Sequence, residues 1–227
     1  MPDRLQNVRI DVSNKLYVKD PLSSELGVQI ISKALPMIDS LGLEMFTFRK
    51  LAQEIGTTES AVYRYFENKH KLLLFYTSWY WGVLSYNLAF GTANIESSEK
   101  RLERGIQIIV AGPSAIHNSP FDLDLLQHVV VSESSKAYLT KQVDQENKNG
   151  LFAEFKQLTQ RFSELIEAVA PKYPYPHSLA SLFIESQLNQ RYFADHLPSL
   201  TDLGIDAENR LAFYQNLVQN TTAPWKS

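Results

Sequence analysis

The sequence predicts an all-α chain in which a small three-helix unit precedes a larger helical one. Three observations carry this. Apolar residues recur at spacings of three and four along most of the chain. Residues 46 to 72, FTFRKLAQEIGTTESAVYRYFENKHKL, read as short helices around a tight turn. With 44% apolar and 21% charged residues among 227, the chain has enough apolar material for a real core. The expected division is an arm at 1–22, a three-helix unit at 23–67 and a larger helical domain at 68–227.

In the arm, Val8, Ile10 and Val12 alternate with polar residues, Ser13-Asn14 offers a turn, and Leu16 and Val18 alternate again. A short β-hairpin or a disordered arm over residues 8–18 is therefore expected. A basic arm using Arg4, Arg9, Lys15 and Lys19 is the functional alternative, but Asp3, Asp11 and Asp20 nearly cancel its charge. Pro21 and Ser23-Ser24 then punctuate, and a helix begins with Glu25 in its first turn, where the helix dipole favours it. Its buried stripe is expected to be Val28, Ile31, Leu35 and Ile38, with Pro36 bending or interrupting it. Leu41-Gly42-Leu43 closes it.

Thr47 can cap the next helix, which carries Leu51, Ala52 and Ile55 on one side. Gly56 ends it, because glycine reaches the positive φ of a sharp reversal. Thr57 or Thr58 caps the following helix, whose buried side is marked by Ala61, Val62 and Phe66. A small residue at the crossing, a glycine in the turn and an apolar anchor on the second helix make a helix-turn-helix.

Asn68 caps a helix to about Phe90 with apolar residues all round, as a helix buried on several sides requires. Further helices are expected at about 98 to 111, 121 to 147 and 150 to 170. The last is striped by Phe152, Phe155, Leu158, Phe162, Leu165 and Val169. Pro171, Pro174 and Pro176 end it, and helices at about 177 to 196 and 206 to 220 complete the chain.

The run FRKLAQEIG followed by AVYRYFENKHKLL resembles the DNA-binding signature of TetR-type transcriptional regulators. Tyr63, the Tyr65-Phe66 pair and Asn68-Lys69 follow the turn in that family's order, and the match spans roughly residues 24 to 75. Thr57 and Ser60 depart from the pattern, so a preferred DNA sequence does not carry over. The resemblance places Thr47, Tyr63, Tyr65 and Lys69 on the DNA backbone and Arg49 at the groove edge. Chemistry supports two of these, since Thr47 and Lys69 sit at helix N-termini, where free amides favour phosphate. Thr58 opens the recognition helix. Glu59 is suited to accept from a cytosine amine, Ser60 to donate or accept, Ala61 to touch a thymine methyl, and Arg64 to read guanine or hold phosphate.

The resemblance also implies a homodimeric repressor, released from a palindromic double-stranded operator by a small-molecule effector. The last two helices would form the dimer interface, through Leu179, Leu182, Phe183, Leu211, Tyr214 and Val218. Trp79, Tyr86, His117, His128 and Phe152 are candidate effector-lining residues on composition, and their aromatic character points to a hydrophobic or planar ligand. The alternative reading is a helical interaction module whose helix-turn-helix packs on a protein partner.

Other classes find little support. The absence of cysteine removes disulfides, thiolate metal sites and cysteine nucleophiles. His70, His117, His128, His177 and His196 are far apart, and none makes an H-E-x-x-H spacing. There is neither a glycine-rich phosphate loop nor a G-x-S-x-G elbow, so no enzyme, metal or cofactor is expected. With no signal-peptide run and no window approaching a membrane span, the chain is expected to be cytoplasmic. Net charge is −3, yet residues 47 to 71 hold Arg49, Lys50, Arg64, Lys69 and Lys71 against Glu54, Glu59 and Glu67. Such a chain meets phosphate at one end.

Overall fold

The computed structural model describes residues 10, 12–114 and 119–226. Among these it has eleven α-helices and no strand. They are α1 (Glu25–Met45), α2 (Phe48–Glu54), α3 (Glu59–Tyr63), α4 (Lys69–Thr92), α5 (Ser98–Ala111), α6 (Leu123–Glu133), α7 (Ser135–Tyr138), α8 (Val143–Lys148), α9 (Ala153–Val169), α10 (Pro176–His196) and α11 (Ala207–Thr222). The chain forms two compact units: residues 1–82 with 115–154, and residues 83–114 with 155–227.

The first unit is built on α1, α2, α3 and the first half of α4. Ser24 caps α1 by accepting from Gly27 N–H. Ile30, Ile31, Ala34, Leu35 and Ile38 are buried, whereas Val28 is exposed, so the stripe lies slightly round the helix from its expected place. Pro36 does not interrupt α1. The residue with non-helical backbone is Gly42 (φ 72°, ψ 156°), where the chain breaks before Leu43. By length and composition, α1 is long and apolar enough to cross a membrane, contrary to the sequence reading. Its seven buried residues account for that apolarity within the unit's core.

The expected hairpin or disordered arm is overturned in the part that is described; Val8, Arg9 and Asp11 lie outside it. Asn14–Leu16 and Pro21–Ser23 are turns of 3-10 helix, capped by Ser13 and Asp20. Ile10, Val12 and Leu16 are buried. Apolar alternation here reflects a folded strap that inserts single side chains, with no partner strand among the described residues. α4 is the central helix of the unit: Leu72 to Tyr80 are all buried. Phe75 meets Tyr17, Phe66 and Phe121 edge-on.

The single helix expected over 121–147 is three helices. It stops at Glu133, resumes as α7, breaks again at Leu139 (φ −82°, ψ 57°) and restarts at Val143. Ser132, Ser134, Ser135 and Thr140 are poor helix-interior residues. Glu133 and Glu146 are buried as well, and both carboxylates point into the unit.

In the second unit, Phe162 of α9 stacks on Phe183 of α10 at 4.7 Å, and Phe183 meets Tyr214 of α11 edge-on at 4.9 Å. Leu179, Phe183, Tyr214 and Val218 are therefore buried inside one protomer. This corrects their expected place in a dimer interface: side chains that fill their own core have no surface to offer a second copy. Leu182 is 59% exposed, and Leu211 is half-buried.

Candidate nucleic-acid interface

The helix-turn-helix forms for local reasons. Thr47 Oγ1 accepts from Lys50 N–H at 3.2 Å, and Thr58 Oγ1 from Ala61 N–H at 3.2 Å, so each short helix has a side-chain cap. Gly56 takes φ 70° between them. Asn68 Oδ1 accepts from Lys71 N–H at 2.9 Å and caps α4. Phe48, Leu51 and Ala52 of α2 and Ala61 and Val62 of α3 are buried, which fixes how the two helices cross.

That packing decides which candidates are presented. Thr47, Arg49, Thr58, Glu59, Ser60, Tyr63 and Arg64 are exposed. Thr58 and Ser60 share a hydroxyl hydrogen bond of 3.0 Å at the start of α3. Tyr63 is 47% exposed while its ring meets Phe48 edge-on at 5.1 Å, which steadies it without covering it. Neither Arg49 nor Arg64 has a carboxylate within 4.0 Å among the described residues.

Three candidates are corrected. Ala61 is buried, because its methyl closes the α2–α3 crossing. Tyr65 is buried too, with its hydroxyl 2.8 Å from Ser24 Oγ. Lys69 turns back on the end of α1, where its ammonium donates to the carbonyls of Leu43, Glu44 and Phe46 at 2.8, 2.9 and 3.3 Å. Leu43 and Glu44 lie in the last turn of α1 and Phe46 is its C-cap, so one ammonium satisfies three of the carbonyls left open at that helix end.

Other cations are diverted in the same way. Lys50 donates to Met45 O at 2.9 Å. Lys71 lies 3.2 Å from Glu146, whose carboxylate oxygens are also 3.0 and 3.1 Å from His70 Nε2. Counting charges overstated the free cations because it could not see Glu146, some 75 residues away. Glu133 is likewise unforeseen: its Oε1 accepts from Leu43 N–H at 3.1 Å, and its Oε2 lies 2.7 Å from Lys136. A carboxylate two residues after the apolar run Val129-Val130-Val131 was the available signal.

The effector candidates are divided between the two units. Trp79 is buried against Phe75 and Phe121 at 5.9 and 5.2 Å, with its indole N–H unpartnered. His128 is exposed on α6, so it lines no enclosed pocket there, and Phe152 is half-buried in the same unit. Tyr86, in the other unit, stacks on Phe90 at 6.0 Å. His117 lies outside the described residues. A cavity of about 40 Å³ in the second unit, between Leu102, Ile106, Val169 and Thr222, has room for little more than water. Among the described residues, no group of three His, Asp or Glu side chains is placed to hold a metal ion.

Comparison with known proteins agrees with the fold. Residues 30–74 match the family described as "Bacterial regulatory proteins, tetR family". No curated protein matches in sequence. Among solved structures, a tetR-family regulatory protein from Rhodococcus RHA1 is similar at a TM-score of 0.64 and 16% identity, over 88% of this chain and 98% of that one. AibR in complex with isovaleryl coenzyme A and operator DNA gives 0.56 and 13%, over 83% and 95%. A TetR-family transcriptional regulator from Pectobacterium atrosepticum gives 0.56 and 14%, over 87% and 92%. At such identities the likeness is one of fold, while the matched segment contains α2, α3 and the start of α4, with the caps and the turn glycine described above. Over residues 30–74 the chain therefore carries a domain of the tetR family of bacterial regulatory proteins.

Proposed function

We propose that the chain is a DNA-binding transcriptional regulator, acting as a homodimeric repressor on a two-fold symmetric operator. One observation carries the reading most: α3 buries Ala61 and Val62 while Thr58, Glu59, Ser60, Tyr63 and Arg64 face solvent. A recognition helix needs that division, with one face to fix it and the other to enter the major groove. Glu59 and Ser60 read base edges, and Arg49, Tyr63 and Arg64 hold the backbone. The domain division is a DNA-contacting head over 23–67, preceded by the 1–22 arm, and an effector-binding and dimerising domain from residue 68 onward.

A dimer follows from the size of the head, because one five-residue helix contacts few bases and a two-fold axis doubles them. The exposed apolar side chains of α10 and α11, Leu182 and Phe213, are the residues through which the copies meet. A small hydrophobic or planar effector releases the DNA, to the extent that it binds better to the state whose heads mismatch the half-site spacing of roughly 34–36 Å. AibR, of similar fold, was solved with a coenzyme A thioester and operator DNA together, which supports joining the two activities in one chain. The protein acts in the cytoplasm by binding, with no reaction of its own.

Selection of bound duplexes from a random DNA pool at about 0.1 M salt tests this, since non-specific binding is weakened there. A two-fold symmetric consensus is expected. Enrichment of no sequence by the folded protein would favour a helix-turn-helix that packs on another protein.

A further inference from the structure

The strap before α1 is fixed onto the helix-turn-helix at several points. Val18 N–H donates to Tyr65 O at 2.8 Å, immediately after α3. Leu16 is fully buried. Pro21 lies so close to α1 that a Cβ on Gly27 would stand 2.2 Å from the Pro21 carbonyl oxygen, a contact no side chain tolerates. These contacts leave the strap one place to lie and carry Lys19 with it. Lys19 Nζ is 3.4 Å from Tyr65 Oη and 5.2 Å from the centre of its ring. Arg64 immediately precedes Tyr65, and it is exposed, as are Lys15 and Lys19. Among the described residues, neither Lys19 nor Arg64 has a carboxylate within 4.0 Å.

The helix-turn-helix is short of free cations. Lys50 and Lys69 donate to the carbonyls at the end of α1, and Lys71 and His70 share the buried Glu146. Arg49 and Arg64 remain, although sequence-independent affinity for DNA comes from cations that displace condensed counterions. The strap supplies what these residues do not. The Ser24 hydroxyl first, and Lys19 and Arg64 after it, hold the Tyr65 phenol below its usual value, as an anion-seeking surface does.

We propose that residues 12–24 form part of the DNA-contacting surface, and that Lys19, seated on Tyr65 beside Arg64, binds a DNA phosphate flanking α3. Tyr65 then acts as a positioning residue: buried itself, it presents the hydroxyl and ring on which the lysine rests. The inference rests on the DNA-binding reading above.

The test measures affinity against salt on a duplex carrying the consensus selected by the wild-type chain. Lys19→Met is expected to weaken binding roughly eightfold per head at 0.1 M salt and to make the slope of log K on log salt shallower by about 0.9 per head. Lys19→Arg is expected to restore the slope. Lys156→Met, which removes the same charge from the other unit, is expected to leave it unchanged. Both side chains replaced, Lys19 and Lys156, are exposed, so thermal unfolding of all three variants should match wild type. An unchanged slope for Lys19→Met, with wild-type binding intact, would overturn this inference alone. Failure of the wild-type chain to bind any duplex would overturn the DNA-binding reading and this inference together.

Discussion

Around α3, two apolar anchors are buried and five polar, aromatic or charged neighbours face solvent, whereas α10 and α11 turn Phe183 and Tyr214 inward and leave Leu182 and Phe213 outside. The first arrangement spends little core to hold a surface. The second is held by a buried aromatic cluster. A head of short capped helices can therefore change its exposed residues freely, and with them the DNA it reads, while the α9–α10–α11 cluster tolerates little change in volume. Substitutions in the two places should fail differently: on the head by losing binding with the fold intact, in the cluster by losing the fold.

The largest effect is expected from Phe183→Ala. Phe183 is fully buried between Phe162 and Tyr214, and its loss should cost about 3–5 kcal/mol in urea unfolding. A cost under about 1 kcal/mol would mean that this cluster is not the core of the unit.

Alkali probes the same cluster. Burial pushes the Tyr214 phenol up to about 12. A raised folded-state value contributes stability that is complete below the unfolded value near 10 and is lost as pH rises from about 10 to 12. The part carried by Tyr214 is on the order of 2–3 kcal/mol. Urea unfolding at pH 8, 10 and 11 should show that decline in the wild type and less of it in Tyr214→Phe.

On the head, Lys69→Met should cost about 1–2 kcal/mol, because three carbonyls at the end of α1 lose their shared donor. The salt slope of DNA binding should stay as it is; a slope reduced by about one would return Lys69 to the phosphate. Thr58→Ala should cost about 1 kcal/mol through the lost cap of α3. The smallest change in protomer stability, within about 0.5 kcal/mol, is expected for Leu182→Glu. Sedimentation should nevertheless show weaker self-association for that variant, and an unchanged mass distribution would move the interface elsewhere.

The contrast also explains what the sequence made legible. Caps, the turn glycine and the 3.6-residue stripe act within a few residues of one another, so Thr47, Gly56, Thr58 and Asn68 could be assigned, and the bounds of α5 and α9 to α11 foreseen within a few residues. Which face of α10 meets its own protomer depends on Phe162 and Tyr214, distant in sequence, and periodicity alone puts Phe183 equally well in a core or at an interface. The same limit hid the engagement of Lys69 and Lys71, whose partners are a broken helix end and Glu146. The strap was misread because alternation was taken for pairing, while Val12 and Leu16 are single apolar anchors, one before and one within the first 3-10 turn.

The exposed start of α3 is the part proposed to read base edges. Repeating the duplex selection with Ser60→Ala tests it most directly, since Ser60 is exposed and hydrogen-bonds only with Thr58 among its neighbours. A consensus altered at one position in each half-site is expected, with the salt slope unchanged. An identical consensus, with affinity lowered equally on every sequence, would contradict it.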